Sequence, residues 1–150
     1  MAIEKFTVLL VEDDARDAGI LARAFTSLGL PGMMQTVASL DEAIEYLSGR
    51  RQYQDRDAYP LPDLMLVNLG LSRKANFKLL RWLRGQPSLR RIPVVVLAAA
   101  RQPAGFEQAF DLGAASYLVK PIEIEALQSM VQAVVSYWRL DRRSPDRPKK

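Results

Sequence analysis

At 150 residues, 49% hydrophobic and 25% charged, the chain has the size and composition of one ordinary globular domain. It has no cysteine and no histidine, which excludes disulfides, thiolate catalysis, Cys-based zinc sites and the commonest general base. The net charge of +4 belongs to the end of the chain, where Arg139 to Lys150 carries six basic and two acidic residues and the rest balances.

The opening Met1-Ala-Ile-Glu-Lys-Phe6 carries a carboxylate and runs straight into a strand pattern, with no signal-peptide character. The longest apolar run, Val94 to Ala100, is far too short to span a bilayer. A soluble cytoplasmic protein is expected.

In chain order, Phe6 to Val11 reads as a buried strand ending at Glu12-Asp13-Asp14. Asp14 is placed to cap a helix, with Asp17 adding a second carboxylate at its positive end. Ile20, Leu21, Ala24, Phe25 and Leu28 follow at helical spacing, and Gly29 ends the helix. Met33 to Ala38 reads as a second strand, and Ser39-Leu-Asp-Glu42 as a capping box opening a helix with Ala43, Ile44 and Leu47 on its apolar face. Residues 49–62 form a polar, tyrosine-containing loop without a legible motif. Leu64 to Val67 is an apolar run without alternation, as expected of a strand covered on both faces. Asn68 ends it, and Gly70, Ser72, Lys74 and Asn76 read as a loop.

Phe77, Leu79, Leu80 and Leu83 continue helically to Gly85. Pro93 to Leu97 is another apolar strand, followed by Ala98 to Ala100. Phe106, Ala109, Phe110 and Leu112 fit a short helix, Ser116 to Lys120 a fifth strand, and Glu123 to Leu140 a final helix. The expected organisation is one domain over 1–140 with a charged, flexible tail over 141–150. Five strands alternating with five helices define an α/β fold, a doubly wound parallel sheet with helices on both faces.

Three strand ends carry polar groups: Glu12 with Asp13, Asn68, and Lys120. In open α/β sheets, ligands and chemistry gather at those ends. A carboxylate pair and a lysine also fit a helix cap and a salt bridge. With Leu10-Val-Glu-Asp13, Pro62-Asp-Leu-Met-Leu-Val67, Arg91-Ile-Pro-Val-Val-Val-Leu97 and Gly113-Ala-Ala-Ser-Tyr-Leu-Val-Lys-Pro121, the chain resembles the receiver domain of two-component response regulators over residues 5 to about 138. The loop around Tyr53–Pro62, Arg90-Arg-Ile-Pro93 and Ser136-Tyr-Trp138 resemble single-domain regulators that partner phytochrome-type histidine kinases.

The resemblance implies a flavodoxin-like sheet of order 2-1-3-4-5. It also implies an aspartate at 68 that accepts a phosphoryl group, Mg²⁺ on Glu12, Asp13, position 68 and the carbonyl of Gly70, and a phosphate-binding Lys120. A hydroxyl residue at 98, a switch aromatic at Tyr117 and a cis Lys120–Pro121 bond complete the pattern. The sequence departs from it where Asn68 replaces the acceptor aspartate, Ala98 the hydroxyl, Ser72 a loop proline and Ala75-Asn76 an acidic-glycine pair. An amide oxygen is a far weaker nucleophile than a carboxylate, and losing one anionic ligand weakens Mg²⁺. The expectation is a site without phosphotransfer, with no cofactor required and Mg²⁺ binding weakened. Tyr117 is expected to rest inward over the small Ala98, and Asn76 to cap the next helix.

In the last helix, Ile124, Leu127, Val131, Val134 and Trp138 form one stripe, and Ala126, Met130, Ala133, Tyr137 and Leu140 a second. Two stripes exceed one core contact, so a homodimer or partner interface on Met130, Val134, Tyr137 and Trp138 is expected. Leu64 to Phe106 contains no acidic residue but eight basic ones, from Arg73 to Arg101; it reads as a solvated helix face or a docking surface for an acidic partner. The functions in competition are three. The first is an atypical, non-enzymatic response regulator working by protein–protein contact with a histidine kinase or another two-component protein. The second is a phosphoacceptor using Asp13 or Asp14. The third is a nucleic-acid binder using residues 73–101 and the tail.

Overall fold

The computed structural model describes residues 5–29, 32–68, 73–98, 109, 111–121 and 123–143. Five strands, β1 (Phe6–Glu12), β2 (Gly32–Val37), β3 (Leu64–Asn68), β4 (Val94–Ala98) and β5 (Ser116–Val119), form one sheet of order β2-β1-β3-β4-β5. Every pairing is parallel, which is the doubly wound order expected. Among the described residues four α-helices accompany them: α1 (Ala15–Thr26), α2 (Leu40–Ser48), α3 (Arg73–Arg84) and α4 (Ile124–Arg143). The expected helix through Phe106 and Phe110 lies mostly outside the described residues; within it Ala109 and Asp111 are helical and Ala109 is buried.

The central strands are apolar on both sides because both sides are covered. Leu9, Val11, Met65, Val67, Val94 and Val96 point into the layer beneath α2 and α3. Val8, Leu10, Leu64, Leu66, Val95 and Leu97 point into the opposite layer beneath α1 and α4. Edge strand β2 is less covered, with only Val37 buried. Its Gly32 has φ 146° and lies so close to Phe6 that a Cβ would overlap the Phe6 carbonyl, a position only glycine fills.

The helix starts obey local chemistry. Asp14 Oδ1 accepts from the Arg16 and Asp17 amides at 2.9 and 3.1 Å, and Ser39 Oγ accepts from the Glu42 amide at 3.1 Å. Glu42 reaches back to the Ala38 amide at 2.8 Å, closing the box one residue earlier than the usual pattern. Gly49, in the left-handed region at φ 68°, ends α2.

Two boundaries differ from the sequence reading. α3 begins at Arg73, so Lys74 and Asn76 are helical rather than loop, and Asn76 is buried instead of capping. α4 continues to Arg143, three residues beyond the expected helix end at Leu140. Its buried seam is Leu127, Val131 and Val135, with Ile124 exposed. The expected stripe alternates spacings of three and four, a 3.5-residue repeat that drifts around a straight helix of 3.6 residues per turn. Contact with the sheet and α1 selects the row at successive spacings of four.

Residues 49–62, unreadable in sequence, are a built element. Arg51–Gln54 forms a 3-10 turn, and Tyr53 packs between Tyr46 and Tyr59 with ring centroids 4.9 and 5.0 Å away. Arg56 closes the loop, donating from Nη1 to the carbonyls of Tyr46 (2.8 Å) and Tyr59 (3.2 Å) and from Nη2 to that of Leu47 (3.1 Å). The cation thus sits on the carbonyl end of α2, where the helix dipole favours it.

Candidate functional site

β1 and β3 are neighbours with Glu12 opposite Asn68, so the carboxylate and the amide leave the sheet at one level. β4 and β5 pair with Ala98 opposite Val119, which puts Lys120 one residue past the same edge. The Lys120 amide donates to the Ala98 carbonyl at 2.7 Å. Glu12, Asn68 and Lys120, remote in sequence, therefore converge as the strand ends require.

Glu12 has no side-chain exposure. Its Oε1 accepts from Lys120 Nζ at 3.1 Å and from Asn68 Nδ2 at 3.3 Å; its Oε2 accepts from the Asp14 amide at 3.2 Å. Lys120 Nζ also reaches Asp17 Oδ2 at 2.6 Å. Asp17 is the site residue the sequence reading missed. It stands in the first turn of α1 through the Asp14 cap, and no local signal relates it to a lysine 103 positions away.

Burial pushes the Glu12 carboxyl above its usual range, opposed by the Asp14 amide and the Lys120 ammonium. Burial acts to lower the Lys120 ammonium, but its bonds and charges shared with Asp17 and Glu12 outweigh it and the group titrates above its usual value. The lysine is a fixed positive charge. The Lys120–Pro121 peptide is trans, against the expectation of a cis bond. The long lysine stem spans to Glu12 and Asp17 nonetheless.

Of the residues expected around Mg²⁺, the described structure places Glu12, Asp13 and Asn68. Both Glu12 oxygens are engaged by N–H donors, one of them a cation. Asp13 is exposed, and Gly70 lies outside the described residues. Among the described residues no cluster of three or more His, Cys, Asp and Glu side chains is placed to hold a metal. Ala98 is half-buried and offers no side-chain donor. Tyr117 is half-buried, packed against the core layer beneath α2 and α3.

In α4, Met130, Val134 and Trp138 spend part of their surface on the core beneath α1. Tyr137 is 62% exposed and meets the Trp138 ring edge-on at 5.1 Å. Among the described residues, no helix is long and apolar enough to cross a membrane.

Sheet order, strand-end acids and the strand-end lysine define a receiver module, and the similarities to known proteins agree. The family model for the response regulator receiver domain matches residues 8–132. The chain is 31% identical over 144 residues to the probable methanogenesis regulatory protein FilR2 of Methanothrix harundinacea, covering 96% of this chain and 90% of that one. The phosphorylated cyanobacterial phytochrome response regulator RcpA superposes with a TM-score of 0.82 at 28% identity, covering 91% of this chain and 95% of that one. The Mn²⁺-bound form of response regulator Rcp1 superposes at 0.77 and 27%, covering 89% and 94%. The chain belongs to the response regulator receiver domain family, and its likeness to phytochrome response regulators is the one the sequence motifs indicated.

Proposed function

We propose that this receiver no longer accepts a phosphoryl group and signals by protein–protein contact within a two-component pathway. The observation that supports this reading is the state of position 68: a buried amide that donates to Glu12 where a nucleophilic carboxylate is required. The second departure, Ala98, removes a donor to a bound phosphoryl group. Lys120 contributes here as the ion partner of Glu12 and Asp17, tying the end of β5 to α1. In this reading no residue is catalytic and Mg²⁺ is not needed to neutralise the pocket. Tyr117 remains inward without modification, so the surface offered to a partner is fixed rather than switched.

The partner is a histidine kinase or another two-component protein in the cytoplasm. A homodimer through α4 is part of the proposal, with Tyr137 as its exposed anchor and the Trp138 ring edge-on against it. Incubation with phosphoramidate followed by phosphate-affinity electrophoresis tests the main point: a single unshifted band is expected, and a retarded band overturns it. Sedimentation at rising concentration tests the dimer. Tyr137→Ala is expected to weaken association, and a native chain that stays monomeric at high concentration removes this part.

A further inference from the structure

The last turn of α3, the start of β4 and the turn at residues 111–113 enclose a cleft of about 490 Å³. It lies at the opposite edge of the sheet from the Glu12–Lys120 site, because β4 begins at Val94 beside the cleft and ends at Ala98 beside that site. Its floor is apolar: Leu80, Leu83 and Val94 are buried, and Ile92 and Leu112 are half-buried. Its walls are tied down. The Arg90 amide donates to the Gln86 carbonyl and the Ile92 amide to that of Leu89, both at 3.0 Å, and the Ala115 amide donates to the Val94 carbonyl at 2.8 Å. The space is therefore formed before anything enters it. Arg84 and Arg90 also line the cleft, and among the described residues no acidic side chain does. Arg84 crosses from α3 to the far wall, where Nη1 donates to the Asp111 carbonyl and Cδ would stand 3.9 Å from a Cβ on Gly113. That bond uses one of five guanidinium N–H donors. Arg90 is exposed, and among the described residues neither arginine is in an ion pair.

We propose that this cleft is a binding site for a small amphipathic carboxylate, its apolar body on the leucine and valine floor and its carboxylate on Arg84 and Arg90 at the exposed side. Size, charge and chemistry each support this class of ligand. The volume falls within the range of small-molecule sites, about 300–1,000 Å³, and exceeds what one side chain of a partner protein fills. Two cations without a carboxylate partner, on an apolar ground, select an anion over a neutral or cationic body. The planar guanidinium fork matches the two oxygens of a carboxylate, which gives the ligand one orientation: charge outward, hydrocarbon inward. Burying that hydrocarbon against Leu80, Leu83 and Val94 supplies the non-directional part of the affinity.

The test is a titration of the ¹⁵N-labelled chain with decanoate, kept below its micelle-forming concentration, beside decylamine and acetate. With decanoate, saturable shift changes are expected at Leu83, Arg84, Ile92, Val94, Leu112 and Gly113, and none around Glu12 or Asn68. Decylamine, with the same body and the opposite charge, is expected to bind about tenfold more weakly or worse. Acetate, with the charge and no body, is expected to leave the cleft residues unmoved at the same concentration. Arg90→Gln, at an exposed position without an ion pair, is expected to weaken decanoate about tenfold and to leave thermal unfolding unchanged. No saturable change at the cleft, changes centred elsewhere on the surface, equal binding of decylamine or acetate, or an Arg90→Gln variant that binds like the native chain would overturn the proposal.

Discussion

Removing the Lys120 ammonium with a shape-preserving Lys120→Met substitution leaves Glu12 buried against the Asn68 amide and the Asp14 N–H, with its nearest positive charge gone. Breaking a buried pair from one side costs about 3–5 kcal/mol. With Lys120 12% exposed and Asp17 26% exposed, the lower end applies, about 3 kcal/mol at pH 8, or a loss of about 6–12 °C in Tm for a chain of this size. The cost depends on pH. The folded Glu12 carboxyl already titrates above its unfolded value, so its contribution is fully present below about 4.5 and is lost as pH rises through the folded value. Without the ammonium that folded value rises further, so the variant's loss is expected to shrink as pH falls and Glu12 takes up a proton. The double variant Glu12→Gln/Lys120→Met is expected to return to within about 1 kcal/mol of the native chain at pH 8. Urea denaturation at pH 5 and 8 measures all three. A loss below about 1 kcal/mol at pH 8, or one unchanged at pH 5, would refute the pairing as the organiser of the site.

Arg56→Ala removes three donors from the carbonyls of Tyr46, Leu47 and Tyr59 and is expected to cost about 2–3 kcal/mol in urea denaturation, with faster proteolytic cleavage around residues 50–60. Arg56→Lys, a point charge without the fork, should not restore it. Of the five tyrosines, Tyr46 and Tyr53 are pushed up to about 12, chiefly by burial. Absorbance titration should show these two ionising late. Their contribution is whole below pH 10 and lost as pH rises toward 12, about 1 kcal/mol each by pH 11; early ionisation of all five would contradict the packing.

The sheet was legible because both-face burial writes itself as unbroken apolar runs, as in Leu64 to Val67, and because Asp14 and Ser39 announce their helices by side-chain chemistry. The convergence of Glu12, Asn68 and Lys120 was legible only through the order of the strands. Asp17 was not, since its role depends on how α1 is aimed over the end of β5. The 49–62 loop escaped for a similar reason: Tyr46, Tyr53 and Tyr59 are spaced seven and six apart, matching neither a strand nor a helix face, and Arg56 becomes a cap only once α2 ends beside it. Asn76 was misplaced because asparagine favours loops and caps, a preference that burial against the α3 core layer overrides.

In the proposed reading the receiver fold is kept and phosphoryl acceptance is lost with the carboxylate at position 68, Ala98 removing a second group. Intact-mass analysis of Asn68→Asp and the native chain, side by side after incubation with acetyl phosphate and Mg²⁺, tests it most directly. A phosphoryl adduct is expected on the variant, mapped to position 68, and none on the native chain. An adduct on the native chain, at Asp13, Asp14 or elsewhere, would contradict it.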